Sequence, residues 1–265
     1  MAAPNEISCK NLLRLIGMPD RPVIIDISID PYFSEDPFLF PGSFRHPHTD
    51  FEGLVARLNG RGCNIACQQG IKLSQGLTSR LRGRGIVAQY LEVGMYGWRH
   101  PSEEPRIPFA ALPAPNLWVT RHRPKIDRIA WPWLIRCFIN ADAEFMFVSP
   151  DRVTGVADRY SATPFDIPDV VLTHKGGHCT FDAMLDLFDL RTDALNRLSE
   201  VIRSADTDSN NSPQAAGLLA VSVGLSRMYR DDHAQLHAAM PLFEALYRWA
   251  RDGAQETHAS LTDAP

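Results

Sequence analysis

The residue that most directly indicates chemistry is Cys67, together with the loop that follows it. Residues 64–67 form a short, mostly apolar run that suits a buried strand, and Cys67 is its last residue. Gly70 marks a polar turn, and residues 73–81 carry apolar side chains at helical spacing. Such a loop brings backbone N–H groups and a helix N-terminus close to the thiol, which favours the nucleophilic thiolate. The pattern therefore predicts a nucleophilic Cys67 beside the positive charge of Lys72. The alternative is a buried structural thiol.

Strands and helices alternate around this loop. Residues 23–27 and 86–91 are rich in β-branched and apolar residues and predict strands, while residues 50–59 have the spacing of an amphipathic helix. This alternation predicts a parallel sheet with helices on its faces, and ligands bind beyond the C-terminal ends of the strands in such sheets. The segment 31–48, rich in proline, phenylalanine and histidine, is predicted to be a loop, and Cys63 a plain core cysteine.

Four motifs in the first hundred residues resemble one known family, and they come in the family's order. The catalytic candidates, the segment Cys67-Gln68-Gln69-Gly70-Ile71-Lys72, resemble the active loop Cys-x-x-Gly-x-Lys/Arg of the rhodanese (sulfurtransferase) domain. Residues 22–26 resemble its early strand ending in an aspartate, residues 40–43 its Ile-Pro-Gly-Ala turn, and residues 90–98 its last strand and tryptophan-containing ending. Ser28 stands where that family often has arginine.

The rhodanese resemblance implies a thiosulfate-type sulfurtransferase that works through a cysteine persulfide. Its partners would be a small anionic sulfur donor and a thiol acceptor. Sulfur transfer of this kind requires no cofactor, because the cysteine itself carries the sulfur.

A basic cluster opens the second half of the chain. Arg121, Arg123, Lys125 and Arg128 surround a single acid, Asp127, and precede an apolar, aromatic segment predicted to be a helix over residues 129–139. Arginines that lead into a helix N-terminus can bind an oxyanion such as sulfate, phosphate or chromate. The alternative is a solvated basic loop whose cations pair with acids elsewhere.

A second group of polar residues has the composition of a metal site. Two histidines, a cysteine and an aspartate lie between His174 and Asp182 beside a Gly-Gly turn, and Asp206 is a further candidate ligand. These residue types bind divalent metals, so His174, Asp182 and Asp206 are the predicted ligands. The alternative is that Asp182 stabilises a helix N-terminus and that Asp206 lies at the surface as a cap.

The second half is similar to the C-terminal domain of ChrB-type chromate-resistance proteins. The motifs that carry the similarity are residues 118–128, 174–182, 204–208, 213–218 and 224–228. The similarity implies a role in chromate resistance. It leaves open a chromate-responsive transcriptional regulator or oxyanion sensor, and also a metal-dependent enzyme in this half. Trp131 stands where a cysteine is usual in the family.

Composition limits the remaining function classes. The net charge of −4 gives no general attraction to nucleic acid, so DNA binding has no support from charge. No apolar run approaches the ~18 residues that span a bilayer. Five scattered cysteines form no disulfide framework, which fits a reducing cytoplasm.

The predicted organisation follows from these patterns. It is an α/β rhodanese-like parallel-sheet domain over residues 1–105, a proline-rich linker at 106–116, a mostly α-helical ChrB-type C-terminal domain over 117–254, and a tail at 255–265.

Overall fold

The computed structural model describes residues 5–18, 20–98, 105–168, 170, 179–207 and 212–256. The chain divides into two compact units, the first made of residues 1–112 and 134–142, the second of residues 113–133 and 143–265. In the described part of the chain, no helix combines the length and the apolar character that crossing a bilayer would require.

The first unit alternates strands and helices. Its strands are β1 (Glu6–Ile7), β2 (Val23–Asp26), β3 (Phe38–Leu39), β4 (Ser43–Arg45), β5 (Cys63–Ala66), β6 (Ala88–Leu91) and β7 (Ile107–Pro108). Its helices are α1 (Cys9–Leu15), α2 (Asp30–Glu35), α3 (Phe51–Leu58), α4 (Lys72–Gly83) and α5 (Gly94–Trp98), followed by a 3₁₀ turn (Phe109–Ala111) and a π-helix (Ile135–Ile139).

Five strands form one parallel sheet in the order β1-β6-β5-β2-β4. All four residues of β5 are buried, as expected for a central strand with both faces covered. Asp26 and Ala66 are register partners at the ends of β2 and β5. The next residue after β5 is Cys67, so the thiol lies at the carboxyl edge of the sheet, where ligands bind in parallel α/β folds.

Helix α3 shows why the local sequence forms these elements. Its apolar residues Phe51, Leu54 and Leu58 are all buried in the core of this unit. The side chain of Asp50 caps the N-terminus by accepting from Gly53 N at 3.0 Å. Asn59 ends the helix in the left-handed conformation with φ 47°.

The predicted loop over residues 31–48 is wrong in part. Most of α2 lies there, β3 pairs with β7, and β4 pairs in parallel with β2 through Ile24 and Ser43. Backbone pairing with β2 and β7 offsets the weak intrinsic preference of such short, proline-flanked segments for the strand conformation.

The second unit is mostly helical. Its strands are β8 (Leu117–Arg121), β9 (Glu144–Val148) and β10 (Thr163–Pro164), which form a small parallel sheet in the order β10-β8-β9. Its helices are α6 (Asp127–Leu134), α7 (Val153–Tyr160), α8 (Thr180–Leu187), α9 (Asp193–Thr207), α10 (Ala215–Met228) and α11 (Asp232–Arg248), with a 3₁₀ turn (Pro150–Arg152) and a π-helix (Trp249–Gly253).

The predicted fold class, a parallel α/β sheet followed by a mostly helical region, is confirmed. The helix predicted over residues 129–139 divides into α6 and the π-helix that follows it. Trp131 is fully buried and stacks on Phe165 with ring centroids 4.8 Å apart. A large aromatic side chain therefore fills the core at this position.

Candidate functional site

The loop after β5 is held against the start of α5. Met95 N donates to the carbonyl of Cys67 at 2.8 Å, and Tyr96 N donates to the carbonyl of Gln68 at 2.9 Å. Gly70 has φ +69°, and a Cβ there would lie 2.5 Å from the Leu91 carbonyl oxygen. Only glycine fits so close an approach in that conformation. The loop is therefore fixed by backbone contacts between its two ends and the β6–α5 connection.

The Cys67 thiol is linked to the first turn of α4. Cys67 is 4% exposed, and its thiol donates to Ser74 Oγ at 3.2 Å. The Ser74 hydroxyl in turn donates to the carbonyl of Ile71 at 3.0 Å. A hydroxyl can both donate and accept, so the Ser74 hydroxyl can turn to donate to the sulfur once the sulfur is ionised. Helix α4 also begins here, and the free N–H groups of its first turn favour negative charge.

Cys67 is part of the hydrophobic core of the first unit, and it also lines a cavity. A cavity of about 210 Å³ is lined by Tyr32, Cys67, Gln68, Gln69, Ile71, Lys72, Leu73 and Tyr96. The loop candidates therefore separate into two groups. Gln69, Ile71 and Lys72 are exposed, whereas Gln68 and Gly70 are buried beneath them. A small molecule in this cavity would lie beside Cys67 and Lys72.

A second carboxyl-edge residue, Asp26, lies below the loop. Its Oδ1 accepts from Ser28 N at 2.8 Å, and its Oδ2 is 3.9 Å from Arg45 Nε. Burial raises the pKa of this carboxyl, while the hydrogen bond from Ser28 and the charge of Arg45 oppose the rise. Asp26 and Gln68 line one small cavity of about 10 Å³. The guanidinium of Arg45 lies 2.7 Å from the Ser28 carbonyl, so an arginine from β4 supplies positive charge near position 28.

The cysteine at the start of β5, Cys63, does not line this cavity. Cys63 is 2% exposed within the core, and burial raises the pKa of its thiol to about 12. Neither Cys63 nor Cys67 is in a disulfide. Cys63 therefore behaves as a small apolar core residue, whereas Cys67, the residue after β5, lines a cavity.

In the second unit, two arginines of the predicted anion site are paired. Arg121 Nη2 and Arg128 Nε lie 3.1 Å and 3.2 Å from Asp166 Oδ2. Burial lowers the pKa of Arg128, and the charge of Asp166 opposes that effect. These two guanidinium groups therefore neutralise a carboxylate of their own chain.

The remaining two cations of that cluster are used differently. The Arg123 guanidinium donates to the carbonyls of Ser226 and Tyr229 at the end of α10, the latter at 2.8 Å. Such contacts satisfy the last carbonyls of a helix. Lys125 is exposed. The structure thus groups Arg121 with Arg128 and assigns Arg123 to a helix terminus.

In the part of the chain that the structure describes, the predicted metal ligands are not grouped into a metal site. His174 lies outside the described residues. Asp182 is 1% exposed and accepts hydrogen bonds from Ser199, Arg203 and Arg191. Burial raises the pKa of Asp182, but the bond from Ser199 and the charge of Arg203 outweigh it and hold that pKa below its ordinary value. Asp206 is exposed at the end of α9. Within the described ranges, no group of three or more His, Cys, Asp or Glu is placed to hold a metal ion.

Sequence reasoning missed three residues around the thiol. Ser74 follows Cys67 by seven positions, and no motif distinguishes it from the other serines of the chain. Tyr32 reaches the cavity from α2, in a segment predicted to be loop, and Tyr96 from α5. A helical pattern read from α4 alone could have placed Ser74 on the buried face, beside Leu77 and Thr78.

Fold and site together define a protein with a parallel α/β unit bearing a cysteine loop at its carboxyl edge, joined to a mostly helical unit. The family model for the C-terminal domain of ChrB matches residues 118–250, half of the chain, and the chain belongs to that family. Protein ChrB of Cupriavidus metallidurans is 31% identical over 136 residues. That match covers 49% of this chain and 39% of the relative's length.

Two solved structures match part of the chain. A rhodanese-like domain protein from Staphylococcus aureus is 22% identical, covering 37% of this chain and 94% of that one, with a TM-score of 0.32. The protein SSP1007 from Staphylococcus saprophyticus is 20% identical, covering 37% and 96%, with a TM-score of 0.33.

Proposed function

We propose that this protein is a sulfurtransferase in which Cys67 carries a sulfur atom as a persulfide. The observation that supports this most is the position of Cys67, which lines a cavity together with Lys72 and whose thiol lies 3.2 Å from Ser74 Oγ. The similarity of residues 67–72 to the rhodanese loop supports the same activity.

In the first half-reaction, the Cys67 thiolate attacks the outer sulfur of thiosulfate. A new S–S bond forms at Cys67, the S–S bond of the donor breaks, and sulfite leaves with the electron pair. Lys72 and the N–H groups at the start of α4 stabilise the anionic donor and the persulfide. The hydroxyl of Ser74 turns to donate a hydrogen bond to the sulfur of Cys67 while it is ionised.

In the second half-reaction, a thiolate acceptor attacks the outer sulfur of the persulfide. The acceptor leaves as its own persulfide, and the Cys67 thiolate is restored. The two steps conserve charge and electrons, so sulfur transfer needs no metal or organic cofactor. A reducing compartment such as the cytoplasm would keep Cys67 available as a thiol, and the proposal places the protein there.

Membership of the ChrB family supports a role in chromate resistance. In that setting, sulfur transfer would supply a reduced sulfur species in cells exposed to the oxidant. Expression of the wild type in a chromate-sensitive host should raise chromate tolerance, and Cys67→Ser should remove the gain. If the wild type and Cys67→Ser raise chromate tolerance equally, the role in chromate resistance does not depend on Cys67.

A second candidate function, chromate-responsive regulation, draws support from the same family membership. The net charge of −4 does not favour the DNA binding that such regulation requires. An electrophoretic shift of DNA from the protein's own genomic neighbourhood, with and without chromate at low salt, decides between the two. A chromate-dependent shift would favour regulation.

The sulfurtransferase proposal is tested by turnover of thiosulfate with a small thiol acceptor. Cys67→Ser should abolish turnover, because serine cannot form a persulfide. Cys63→Ala is the matched control, since Cys63 lies on β5 four positions before Cys67 and does not line the cavity. Undiminished turnover in Cys67→Ser, or equal loss in Cys63→Ala with a folded protein, would refute the assignment.

A further inference from the structure

Helix α10 reverses the usual distribution of side chains on a helix. The residues that it buries are Ala215, Leu218, Ser222 and Ser226. The large apolar residues that it exposes are Leu219, Val221, Val223 and Met228, which are between 38% and 73% exposed. A helix on the surface of a domain normally turns its apolar side inward and its polar side outward. An outward apolar face of this kind marks a contact surface.

The centre of this outward face is a row of small residues. Ala216, Ala220 and Gly224 follow one another at intervals of four, so they lie along one line of the helix, and all three are exposed. A Cβ added at Gly224 would have no atom within 4 Å. At about 100° per residue, the large apolar residues border the row on both sides. Small residues let a second helix approach closely, while the longer side chains on each side pack against it.

The outward face carries no charge over most of its length. No residue between 212 and 226 is charged, and the first charged residue of α10 is Arg227. A nucleic acid or a charged peptide would find no complementary charges there, and helices that lie on lipid are usually rich in Lys and Arg on their polar side. The face therefore fits another uncharged, apolar helix.

The chain itself offers such a helix. Among the helices that the structure describes, α10 alone exposes more than one large apolar side chain, so the surface that best matches α10 is the α10 of a second copy. A parallel pair with two-fold symmetry would bring the two copies of Arg227 side by side. An antiparallel pair separates these like charges and places oppositely charged helix ends next to each other.

The dimensions of the face predict a weak dimer. Helix α10 has 14 residues, which gives a length of about 21 Å and a width of about 10 Å. A face of this size offers less than the roughly 800 Å² that each partner buries in a stable interface, so the dissociation constant should be on the order of 10 µM.

We propose that α10 is the contact surface of a reversible homodimer, in which the α10 helices of two copies pack antiparallel and cross at Ala220. Ala220 is the middle residue of the small row, so two-fold symmetry brings Ala220 of one copy against Ala220 of the other, and Ala216 against Gly224. The contact lies in the second unit and does not depend on sulfurtransferase activity.

Sedimentation velocity of the full-length protein between about 1 and 100 µM tests this contact. The wild type should change from monomer to dimer over that range. Ala220→Glu should weaken dimerisation roughly hundredfold, because two like charges would meet in an apolar contact. Ala245→Glu is the matched control, since Ala245 is an exposed alanine on α11, and it should leave dimerisation unchanged.

Cysteine crosslinking tests the arrangement of the two helices. Under oxidation, Ala220→Cys should form a disulfide between two copies, whereas Ala245→Cys and the wild type should not. A mixture of Ala216→Cys and Gly224→Cys proteins should crosslink one variant to the other. Crosslinking of each of these variants to itself instead would overturn the antiparallel arrangement.

Two results would overturn the homodimer as a whole. One is a wild type that stays monomeric at every concentration, or a dimer that Ala220→Glu does not weaken. The other is a monomeric protein that binds neutral or anionic phospholipid vesicles and loses this binding in Ala220→Glu, which would assign the face to a lipid surface.

Discussion

The Gly70→Ala substitution tests whether the Cys67 loop lies against the β6–α5 connection at Gly70. Gly70 has φ +69°, and its Cα faces the β6–α5 connection. A methyl group would lie 2.5 Å from the carbonyl oxygen of Leu91 and 2.6 Å from Gly94 N. Both neighbours are backbone atoms, so they cannot rotate away as a flexible side chain would.

The expected loss of stability has two parts. The left-handed conformation costs an alanine about 1–2 kcal/mol. Displacing closely packed backbone costs about 1–3 kcal/mol, the usual range for overpacking. We therefore expect Gly70→Ala to lower the free energy of unfolding of the first unit by about 2–5 kcal/mol. Sulfur transfer should fall too, because the loop that holds Cys67 must move.

Gly76→Ala is the matched control on the same segment. Gly76 lies inside α4, is exposed, and has no atom within 4 Å of the position of an added Cβ. Alanine there should raise the free energy of unfolding by up to about 1 kcal/mol, because glycine is a poor helix former. Urea unfolding followed by far-UV circular dichroism measures both variants.

The two glycine variants should therefore move in opposite directions. If Gly70→Ala is as stable and as active as the wild type, the close approach between the loop and the β6–α5 connection is wrong. If both variants lose stability equally, the effect does not arise from the conformation of Gly70.

Three further substitutions test other parts of the molecule. Ser74→Ala should lower kcat for sulfur transfer roughly tenfold with little change in KM, because a hydrogen bond to an ionised sulfur is lost. Steady-state kinetics measures both constants, and an unchanged kcat would contradict this role of Ser74. Asp182→Asn should destabilise the protein by about 3 kcal/mol or more near neutral pH by leaving Arg203 without its carboxylate. Since the folded-state pKa of Asp182 is lowered, this difference should shrink as the pH falls below 3.8 towards that pKa, and a pH-independent difference in urea unfolding would contradict it. Burial and the charge of Asp206 raise the pKa of Asp127. The ionised form therefore costs stability as the pH rises above 3.8, so Asp127→Asn should gain stability relative to the wild type with rising pH, and a constant difference would refute this.

The sequence could predict the β5–loop–α4 segment because each signal there is local. An apolar run, a glycine turn and helical spacing follow one another within residues 64–81, and the structure has Cys63–Ala66 as strand and Lys72–Gly83 as helix. Backbone preferences of neighbouring residues are sufficient to define such a unit.

Contacts between distant residues could not be predicted in the same way. Strand β4 has three residues and exists because β2 pairs with it. Arg123 donates to carbonyls more than one hundred positions away, at the end of α10. Residues 134–142 group with the first unit, where Arg57 pairs with Asp142 at 2.8 Å. In each case the partner is set by the folded chain, and no local pattern marks it.

The cavity beside Cys67 depends on side-chain directions. Tyr32, Ser74 and Tyr96 come from three helices, and each reaches the thiol or its cavity only because of how α2, α4 and α5 lie around the carboxyl edge of the sheet. Spacing along the sequence predicted the nucleophile and its loop, whereas the hydrogen-bond partner and the apolar walls required the structure.

The most direct measurement of the central claim is the intact mass of the protein after incubation with a sulfur donor and removal of excess reagent. The wild type and Cys63→Ala should each gain the mass of one sulfur atom, which a thiol acceptor then removes. Cys67→Ser should gain nothing. A wild-type protein that stays at its original mass with thiosulfate, or a Cys67→Ser protein that still gains a removable sulfur, would contradict the claim that Cys67 carries the transferred atom.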